Sequence, residues 1–244
     1  MQKSTETPPA FKRILLKFSG EALMGTADFG IKPSVLQDVV YKIKTLVNAG
    51  VEVALVVGGG NIFRGEGLTS AGVDRVIGDQ MGMLATTINA LAIKDALQQA
   101  AQPARLLSAI DMPSVCEKYQ RDLAVRCLQA GEVVIFAAGT GNPFFTTDSA
   151  ASLRAIEIKA DVMIKATKVA GIYDSDPMKN PDATLFKNLT FDEVITQQLA
   201  VMDLTAMILC RDHDLPIQVL NMSDANDLFD LVIEGKQVGT SVNN

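Results

Sequence analysis

The chain has 244 residues, 48% of them hydrophobic and 20% charged, which is enough for one large α/β domain or two smaller domains. Its formal net charge is −6, and no run of lysine and arginine supplies the basic face that a duplex-DNA-binding protein needs. A phosphate ligand would therefore have to be held by a few local cations and backbone amides in a defined pocket.

Cysteine and histidine content narrows the possible chemistry further. Cys116, Cys127 and Cys210 show no CxxC spacing, so they predict buried thiols in a reducing compartment. A single histidine, His213, excludes a histidine-rich zinc site. Residues 1–10 are expected to form a disordered tail, and the absence of an apolar run of about 18 residues argues against a membrane span. We therefore expect a cytoplasmic protein that binds neither membrane nor nucleic acid.

Apolar strand-like segments alternate with helical segments along the chain. Pro33 in the first turn and Gly50 after the last turn bound the first predicted helix. Predicted strands cover residues 11–18, 51–57, 104–110, 133–138, 161–167 and 216–220. Predicted helices cover residues 33–49, 72–101, 119–130, 149–160, 191–199, 204–211 and 226–235. This order predicts an α/β protein with three α/β/α layers and a mainly parallel sheet, in a single domain over residues 11–244.

The segments that follow the first two strands suggest an anion site. Ligands of such sheets lie beyond the carboxyl ends of the strands. The first strand ends near Lys17, and the second runs into residues 58–60, three glycines that are followed by Arg64. A tight turn alone explains one or two glycines, whereas three glycines and an arginine favour binding of a phosphate. Neither a P-loop pattern nor GxGxxG spacing is present, so the phosphate would be bound by another route.

Two later loops carry polar groups suited to a nucleotide. Residues 139–148 combine threonines, Asn142, two phenylalanines and Asp148. Capping of the next helix by Asp148 or Ser149 explains one of these residues, and the phenylalanines could be core, but recognition of a phosphorylated, hydroxyl-bearing ligand explains more of them. Residues 167–177, which include Tyr173, could flank a base or form an ordinary turn.

Five motifs together resemble a known family. They are KFSGEAL (residues 17–23), GGGNIFRG (58–65), GDQMGMLAT (78–86), GTGNPFFTTD (139–148) and KATKV (165–169). In this order they are similar to the bacterial UMP kinases, a branch of the amino acid kinase family, and the resemblance runs from about Phe11 to nearly the C-terminus. It implies the amino-acid-kinase fold, with the acceptor held mostly by the N-terminal part and ATP by the C-terminal part. It also implies transfer of the ATP γ-phosphate to UMP, with Mg²⁺, in pyrimidine nucleotide biosynthesis.

The resemblance further implies a role for individual residues. The catalytic candidates are Lys17, Arg64 and Asp148. ATP would be bound by Lys17, Phe18, Ser19, Gly20, Gly60, Arg64, Thr167, Tyr173 and Asp176. UMP would be bound by Gly59, Asp79, Thr140, Gly141, Asn142, Pro143, Phe144, Phe145, Thr146 and Thr147. GTP activation is linked to Gly25, Thr26, Ala27, Asp28, Phe29 and Gly30, with UTP as inhibitor and a homohexamer as the assembly. Gln80 departs from the histidine of many relatives, which leaves substrate and effector tuning open.

The proposed chemistry suits these residue types. The acceptor phosphate, with a second pKa of about 6, is already an anionic nucleophile, so no general base is required. Charge repulsion must be overcome instead, which favours Lys17 first and Arg64 next. Lys165 is a weaker candidate because it can simply extend out of its strand, and Asp148 and Asp203 could organise Mg²⁺ or a lysine or be exposed caps.

Two other functions remain possible from the residues alone. The first is a kinase for a carboxylate or carbamate, such as acetylglutamate or carbamate, which the threonines of residues 140–147 argue against. The second is a non-catalytic store of nucleotide or oxyanion on the same fold, such as the molybdenum-storage proteins. The combination of Lys17, Arg64 and Asp148 disfavours storage.

Overall fold

The computed structural model describes residues 8–63, 72–199, 201–222 and 226–244, and in these ranges it contains one nine-stranded sheet. Its strands are β1 Arg13–Phe18, β2 Glu52–Val57, β3 Ala104–Ser108, β4 Glu117–Lys118, β5 Val133–Ala137, β6 Val162–Thr167, β7 Asn188–Thr190, β8 Ile217–Asn221 and β9 Thr240–Asn243. The strand order is β4-β3-β5-β2-β1-β6-β8-β9-β7, and only the β8–β9 pair among these strands is antiparallel. The predicted mainly parallel sheet is confirmed.

Seven α-helices cover this sheet in the part of the chain that the structure describes. They are α1 Pro33–Asn48, α2 Arg75–Gln99, α3 Arg121–Gln129, α4 Thr147–Glu157, α5 Phe191–Thr196, α6 Leu204–Asp212 and α7 Asp227–Val232. Three of the starts show a clear local cause: Pro33 occupies the first turn of α1, the side chain of Asp74 caps α2, and Thr190 forms a capping box with Glu193 at α5.

Alternate residues of the strands pack on opposite faces of the sheet. In β2, Val53, Leu55 and Val57 join the core under α1, α2 and α7, whereas Ala54 and Val56 join the core under α3, α4 and α6. Each fully buried valine or leucine contributes roughly 1.5–3 kcal/mol relative to an exposed one. The two apolar layers hold helices on both faces, which is the predicted α/β/α arrangement.

Sequence patterning located the inner strands better than the sheet edges. Strands β4, β7 and β9 have two, three and four residues, too few to show a period of their own, and were not predicted. The helix predicted from residue 149 begins at Thr147 instead. Residues 1–7 of the predicted tail lie outside the described residues, and Ala10 donates its backbone N–H to Ile233.

Helix α2 is the one helix within the described ranges that is long and apolar enough to cross a membrane by length and composition. It spans 25 residues, and 44% of its most apolar stretch is buried inside the protein. Its inner face packs on β3, β5 and α1, which is the position of a core helix.

The chain changes direction across the sheet at β1. It runs from β1 to β2 on one side, and the later strand β6 pairs with β1 on the other side. Strands β1, β2, β5 and β6 are parallel neighbours, so the loops that follow them all lie at the carboxyl ends of the strands. Such a switch point is where open α/β sheets place their ligands.

Candidate active site

Two lysines and one aspartate meet where β1 and β6 end. Lys17 and Lys165 are direct partners in the β1–β6 ladder, so their side chains leave the same face of the sheet. Asp148 lies between them, with its Oδ1 atom 2.5 Å from Lys17 Nζ and its Oδ2 atom 2.8 Å from Lys165 Nζ. Their side chains are only 11%, 14% and 16% exposed for Lys17, Asp148 and Lys165, so the trio is largely shielded from water.

The trio carries one more positive than negative charge. Burial raises the pKa of Asp148, but the charges of Lys17 and Lys165 outweigh it and hold the pKa below its ordinary value. Burial and the like charge of Lys17 lower the pKa of Lys165, against the opposing pull of Asp148. Oδ1 of Asp148 has no well-aligned hydrogen-bond donor among the described residues, so its contact with Lys17 is charge pairing. An anion brought here would supply the missing negative charge.

Lys165 does not extend to solvent, which was the alternative to a role in the site. Its Nζ donates to Asp148 and also, over 2.5 Å, to the carbonyl of Val201. The local sequence could not show this partner, because Asp148 lies 17 residues away in another element. The structure therefore places Lys165 beside Lys17 in the cluster.

Asp148 lies in the first turn of helix α4, and its carboxylate does not cap that helix. Thr146 is the N-cap: its hydroxyl accepts from the backbone N–H groups of Asp148 and Ser149. Neither Asp148 nor Ser149 is the cap, so the capping alternative for these two residues is wrong. Asp203 caps α6 through Ala206 and also accepts from the hydroxyls of Thr146 and Ser149.

Packing accounts for two of the three consecutive glycines after β2. A Cβ atom on Gly58 would lie 3.0 Å from the backbone N of Gly20, and one on Gly59 would lie 2.9 Å from the Cβ of Ala85 in α2. A Cβ atom on Gly60 would meet only the side chain of Glu21, at 3.7 Å or more, which is ordinary contact. Close packing therefore leaves Gly60 unexplained. Arg64 lies outside the described residues.

A cavity of about 170 Å³ lies between α2, residues 58–63 (the glycine loop) and residues 139–147. Six of the ten residues predicted to bind UMP line it: Gly59, Asp79, Thr140, Asn142, Phe145 and Thr147. Other lining residues are Gly60, Phe63, Gly82 and Thr86. Gly141, Pro143, Phe144 and Thr146 do not line this cavity, although they belong to the same loop. The structure thus brings together Asp79 and half of the predicted acceptor-binding residues 140–147.

Asp79 ties this loop to the start of α2. Its Oδ2 atom accepts the backbone N–H of Phe144 over 2.7 Å, and its carboxylate pairs with Arg75 at 2.9 Å. Arg75 also lies over the ring of Phe144, 5.7 Å from its centroid. Phe144 is 66% exposed and Phe145 48% exposed, so the core interpretation of these phenylalanines is wrong.

Two larger cavities flank the end of β6, on either side of Thr167. One, of about 470 Å³, is lined by Thr167, Tyr173 and Asp176 together with Gln197–Leu199 of the loop after α5. The other, of about 490 Å³, is lined by Phe18, Ser19, Gly25 and Thr167. The side chain of Phe18 is fully buried, so any contact with a ligand there would be made by its backbone. Five of the nine residues predicted to bind ATP are therefore divided between two spaces that share Thr167, whereas Gly60 lines the smaller cavity and Lys17 and Gly20 line none of the three.

Comparison with known proteins identifies the family to which this chain belongs. Residues 12–221 match the amino acid kinase family. This chain belongs to the amino acid kinase family. The kinase is 58% identical over 236 residues to the uridylate kinase of Stutzerimonas stutzeri (strain A1501), a match that covers 97% of this chain and 96% of the relative.

Solved structures give the same picture of the kinase. The UMP kinase from Bacillus anthracis superposes with a TM-score of 0.92 at 37% identity over 96% of both chains. The UMP kinase from Ureaplasma parvum superposes with a TM-score of 0.90 at 35% identity, covering 96% of this chain and 99% of that one. The resemblance predicted from the five motifs is confirmed, as is the amino-acid-kinase-like α/β fold.

The segment linked to GTP in the sequence lies on the surface of the kinase. Residues 25–29 are exposed, with Phe29 68% exposed, and both Gly25 and Gly30 have positive φ angles. Gly30 exchanges backbone and side-chain hydrogen bonds with Asn61 of the glycine loop. The segment therefore contacts the glycine loop through its last residue.

Sequence reasoning missed several polar groups that shape the site. Thr86 of α2 is buried, and its hydroxyl accepts the backbone N–H of Ala138, where a φ of 61° turns the chain into residues 139–148. Asn61 and Asn89 are buried and bonded to each other. The signal that was available is a hydroxyl and an amide in the middle of an otherwise apolar helix, where neither favours helix formation.

Proposed function

We propose that this chain transfers the γ-phosphate of ATP to UMP, giving UDP and ADP, with residues 11–244 acting as a single domain. The chain is a nucleoside monophosphate kinase, as its close similarity to uridylate kinases over nearly its whole length establishes. The observation that supports the reaction at this site is the Lys17–Asp148–Lys165 trio, a shielded cluster with one uncompensated positive charge between the acceptor cavity and the end of β6.

The trio suits a reaction in which charge moves and little covalent chemistry is asked of the protein. The transferred group passes through a metaphosphate-like state with charge on three equatorial oxygens. Lys17 and Lys165 are pre-oriented by Asp148, so they need no rearrangement to meet that charge. The acceptor oxygen is already anionic. His213 lies at the end of α6, just before β8 starts, and therefore at the amino ends of the strands, opposite to the carboxyl ends where the loops of the site lie.

The magnesium ion is best assigned to the substrate Mg·ATP. Within the described ranges no group of three or more His, Cys, Asp or Glu side chains could hold a metal ion. Asp148 faces two lysines, and both oxygens of Asp203 already accept hydrogen bonds from the protein. These carboxylates do not fit a protein-bound Mg²⁺, so the phosphates would supply its main ligands.

An assay of product formation tests the function directly. Purified protein is incubated with Mg·ATP and, separately, UMP, CMP, dUMP, acetylglutamate or carbamate, and the phosphorylated product is counted by chromatography. We expect UDP to form at least about a hundredfold faster than any non-nucleotide product, because those acceptors lack the groups that the Thr140–Thr147 loop would bind. Stoichiometric nucleotide binding without UDP would instead favour the storage function.

Regulation and assembly follow from the resemblance. We propose activation by GTP, inhibition by UTP, and action in the cytoplasm, where buried free thiols such as Cys116, Cys127 and Cys210 remain reduced. Initial rates with GTP and with UTP added at fixed substrate test the two effectors. An effector that leaves the rate unchanged is not a regulator of this chain.

The proposed homohexamer is supported by an apolar stripe on α2. Five side chains repeat at intervals of four and three residues on its outer face, each between 37% and 50% exposed: Ile77, Met81, Leu84, Ile88 and Leu91. This spacing is that of a helix seam that packs against another helix. Met24 and Met83, by contrast, are buried in the protein.

Substitution in this stripe tests the assembly. Leu84→Glu places a charge in the proposed seam, so we expect a smaller particle by sedimentation with an unchanged circular dichroism spectrum. Tyr41→Glu, at an exposed aromatic on α1 outside the stripe, is the matched control and should keep the wild-type mass. A Leu84→Glu protein of unchanged mass would place the subunit contact elsewhere.

A further inference from the structure

A pair of buried asparagines joins the loops at the ends of β1 and β2. Asn61 and Asn89 are 1% and 0% exposed, and their amides bond to each other in both directions, at 2.9 Å and 2.7 Å. The second hydrogen of each amide goes to a backbone carbonyl: Asn61 donates to Gly30 at 2.9 Å, and Asn89 donates to Gly58 at 2.7 Å. All four amide hydrogens are therefore used, which is what allows such polar groups to be buried.

The pair also determines how closely the turn after β1 can approach. A Cβ atom on Gly20 would lie 2.3 Å from Oδ1 of Asn61, 2.5 Å from the carbonyl oxygen of Gly58 and 2.9 Å from Nδ2 of Asn89. No side chain fits in that space, so Gly20 packs with its bare Cα against the two amides. Ser19 and Gly20, which start the 3-10 turn Gly20–Leu23, are thereby fixed relative to Gly58.

We infer that the Asn61–Asn89 pair positions the backbone on which the ATP phosphates lie, by locking the Gly20 turn against the Gly58–Gly60 loop. This inference rests on the proposed kinase function, which assigns Ser19, Gly20 and Gly60 to ATP. Asn61 and Asn89 are positioning residues, since neither lines the acceptor cavity and both side chains are buried under the backbone that they hold.

The bonding pattern predicts an asymmetric effect on the two substrates. The amides pack on Gly20, which is assigned to ATP, and bond the carbonyls of Gly58 and of Gly30, the last residue of the segment linked to GTP. Gly59, the residue of this loop that is assigned to UMP, has its own close contact with Ala85 of α2. The acceptor loop, residues 139–148, is held by other groups, namely Thr86 at Ala138 and Asp79 at Phe144. Loss of the pair should therefore disturb ATP binding and turnover while leaving UMP binding nearly unchanged.

Alanine substitutions of both residues, singly and together, test this. In Asn61→Ala, Asn89→Ala and the double variant we expect kcat to fall about tenfold to a hundredfold and the KM for ATP to rise, with the KM for UMP within about twofold of wild type. Because the two amides bond each other in both directions and form one network, the double variant should lose about as much kcat as either single variant.

Gln102→Ala is the matched control for a lost buried amide. Gln102 is 5% exposed and bonds two carbonyls, those of Pro103 and Gly131, at the opposite edge of the sheet. It should lower the melting temperature as the pair variants do and keep kcat within about twofold of wild type. If an alanine variant is insoluble, Asn61→Ser and Asn89→Ser, which keep a donor, are measured with the same expectations.

The possible results distinguish a failure of this inference from a failure of the proposed kinase function on which it rests. Wild-type protein that makes no UDP would refute the proposed function and the inference with it. Active wild-type protein together with folded pair variants of normal kcat and ATP KM would refute only the inference. If the losses of kcat in the two single variants multiply in the double variant, the two amides contribute separately, which would also overturn the inference. An equal loss of kcat in Gln102→Ala would show that the contribution is merely structural, with the same consequence.

Discussion

Replacement of Lys17 by methionine separates catalysis from stability at this site. Lys17→Met keeps most of the side-chain volume and removes the charge, which takes the trio from a net charge of +1 to zero. Asp148 keeps its 2.8 Å contact with Lys165, so no buried charge is left without a partner. The like-charge repulsion that Lys17 exerts on Lys165 is also removed. We therefore expect the free energy of unfolding to stay within about 1 kcal/mol of wild type.

Turnover should respond very differently. Removal of one pre-oriented charged donor from a transition state costs about a factor of 10² to 10³ in kcat, or about 2.7–4 kcal/mol. Asp148→Asn provides the contrast, because it leaves Lys17 and Lys165 facing each other without a carboxylate. Breaking a buried pair in this way costs about 3–5 kcal/mol of stability.

The assay is UDP formation at saturating Mg·ATP and UMP, combined with urea unfolding of the same preparations. Lys44→Met is the matched control, since Lys44 on α1 bonds the carbonyl of Ala100 at the end of α2 and takes no part in the trio. It should keep wild-type turnover. A folded Lys17→Met protein with normal kcat would refute the assignment of Lys17, and one destabilised as much as Asp148→Asn would refute the charge argument.

Three further predictions address the acceptor, the glycine loop and the effect of pH. Asp79→Asn should raise the KM for UMP by about tenfold, since a charged hydrogen-bond acceptor is lost, and unchanged UMP kinetics would leave Asp79 a purely structural role. Gly59→Ala should lower the melting temperature, because its Cβ atom would lie 2.9 Å from the Cβ atom of Ala85. Gly60→Ala should keep the wild-type melting temperature and raise the KM for ATP. Equal melting temperatures in the two variants would contradict this prediction. The pKa of Asp148 lies below its ordinary 3.8 in the folded protein, so the unfolded chain binds this proton at a higher pH than the folded protein does. Stability should therefore be lost as pH falls below about 3.8. Urea unfolding between about pH 5 and pH 3 should show a shallower loss in Asp148→Asn, and identical slopes would exclude this carboxylate as a source of the acid sensitivity.

Local patterns in the sequence predict the inner part of the fold. The buried strands β1, β2, β5 and β6 are short apolar runs bounded by turn residues, and α1 has both an apolar period and a proline at its start. These signals act over a few residues, so they survive without knowledge of the tertiary structure. The short strands β4, β7 and β9 lie at or next to the two edges of the sheet, are defined by their pairing with other strands, and give no such signal.

The sequence by itself determined the fold class, the loops that form the site and, through five motifs, the family. The tertiary structure decided how those loops meet: the β1–β6 register puts Lys165 beside Lys17, α4 brings Asp148 between them, and Asn89 reaches Gly58 from 31 residues away. The physical reason is that hydrophobic period, turn preference and capping are local properties of the chain. Ion pairing and amide bonding between segments depend on strand order and register, which emerge only when the two apolar layers pack on the sheet.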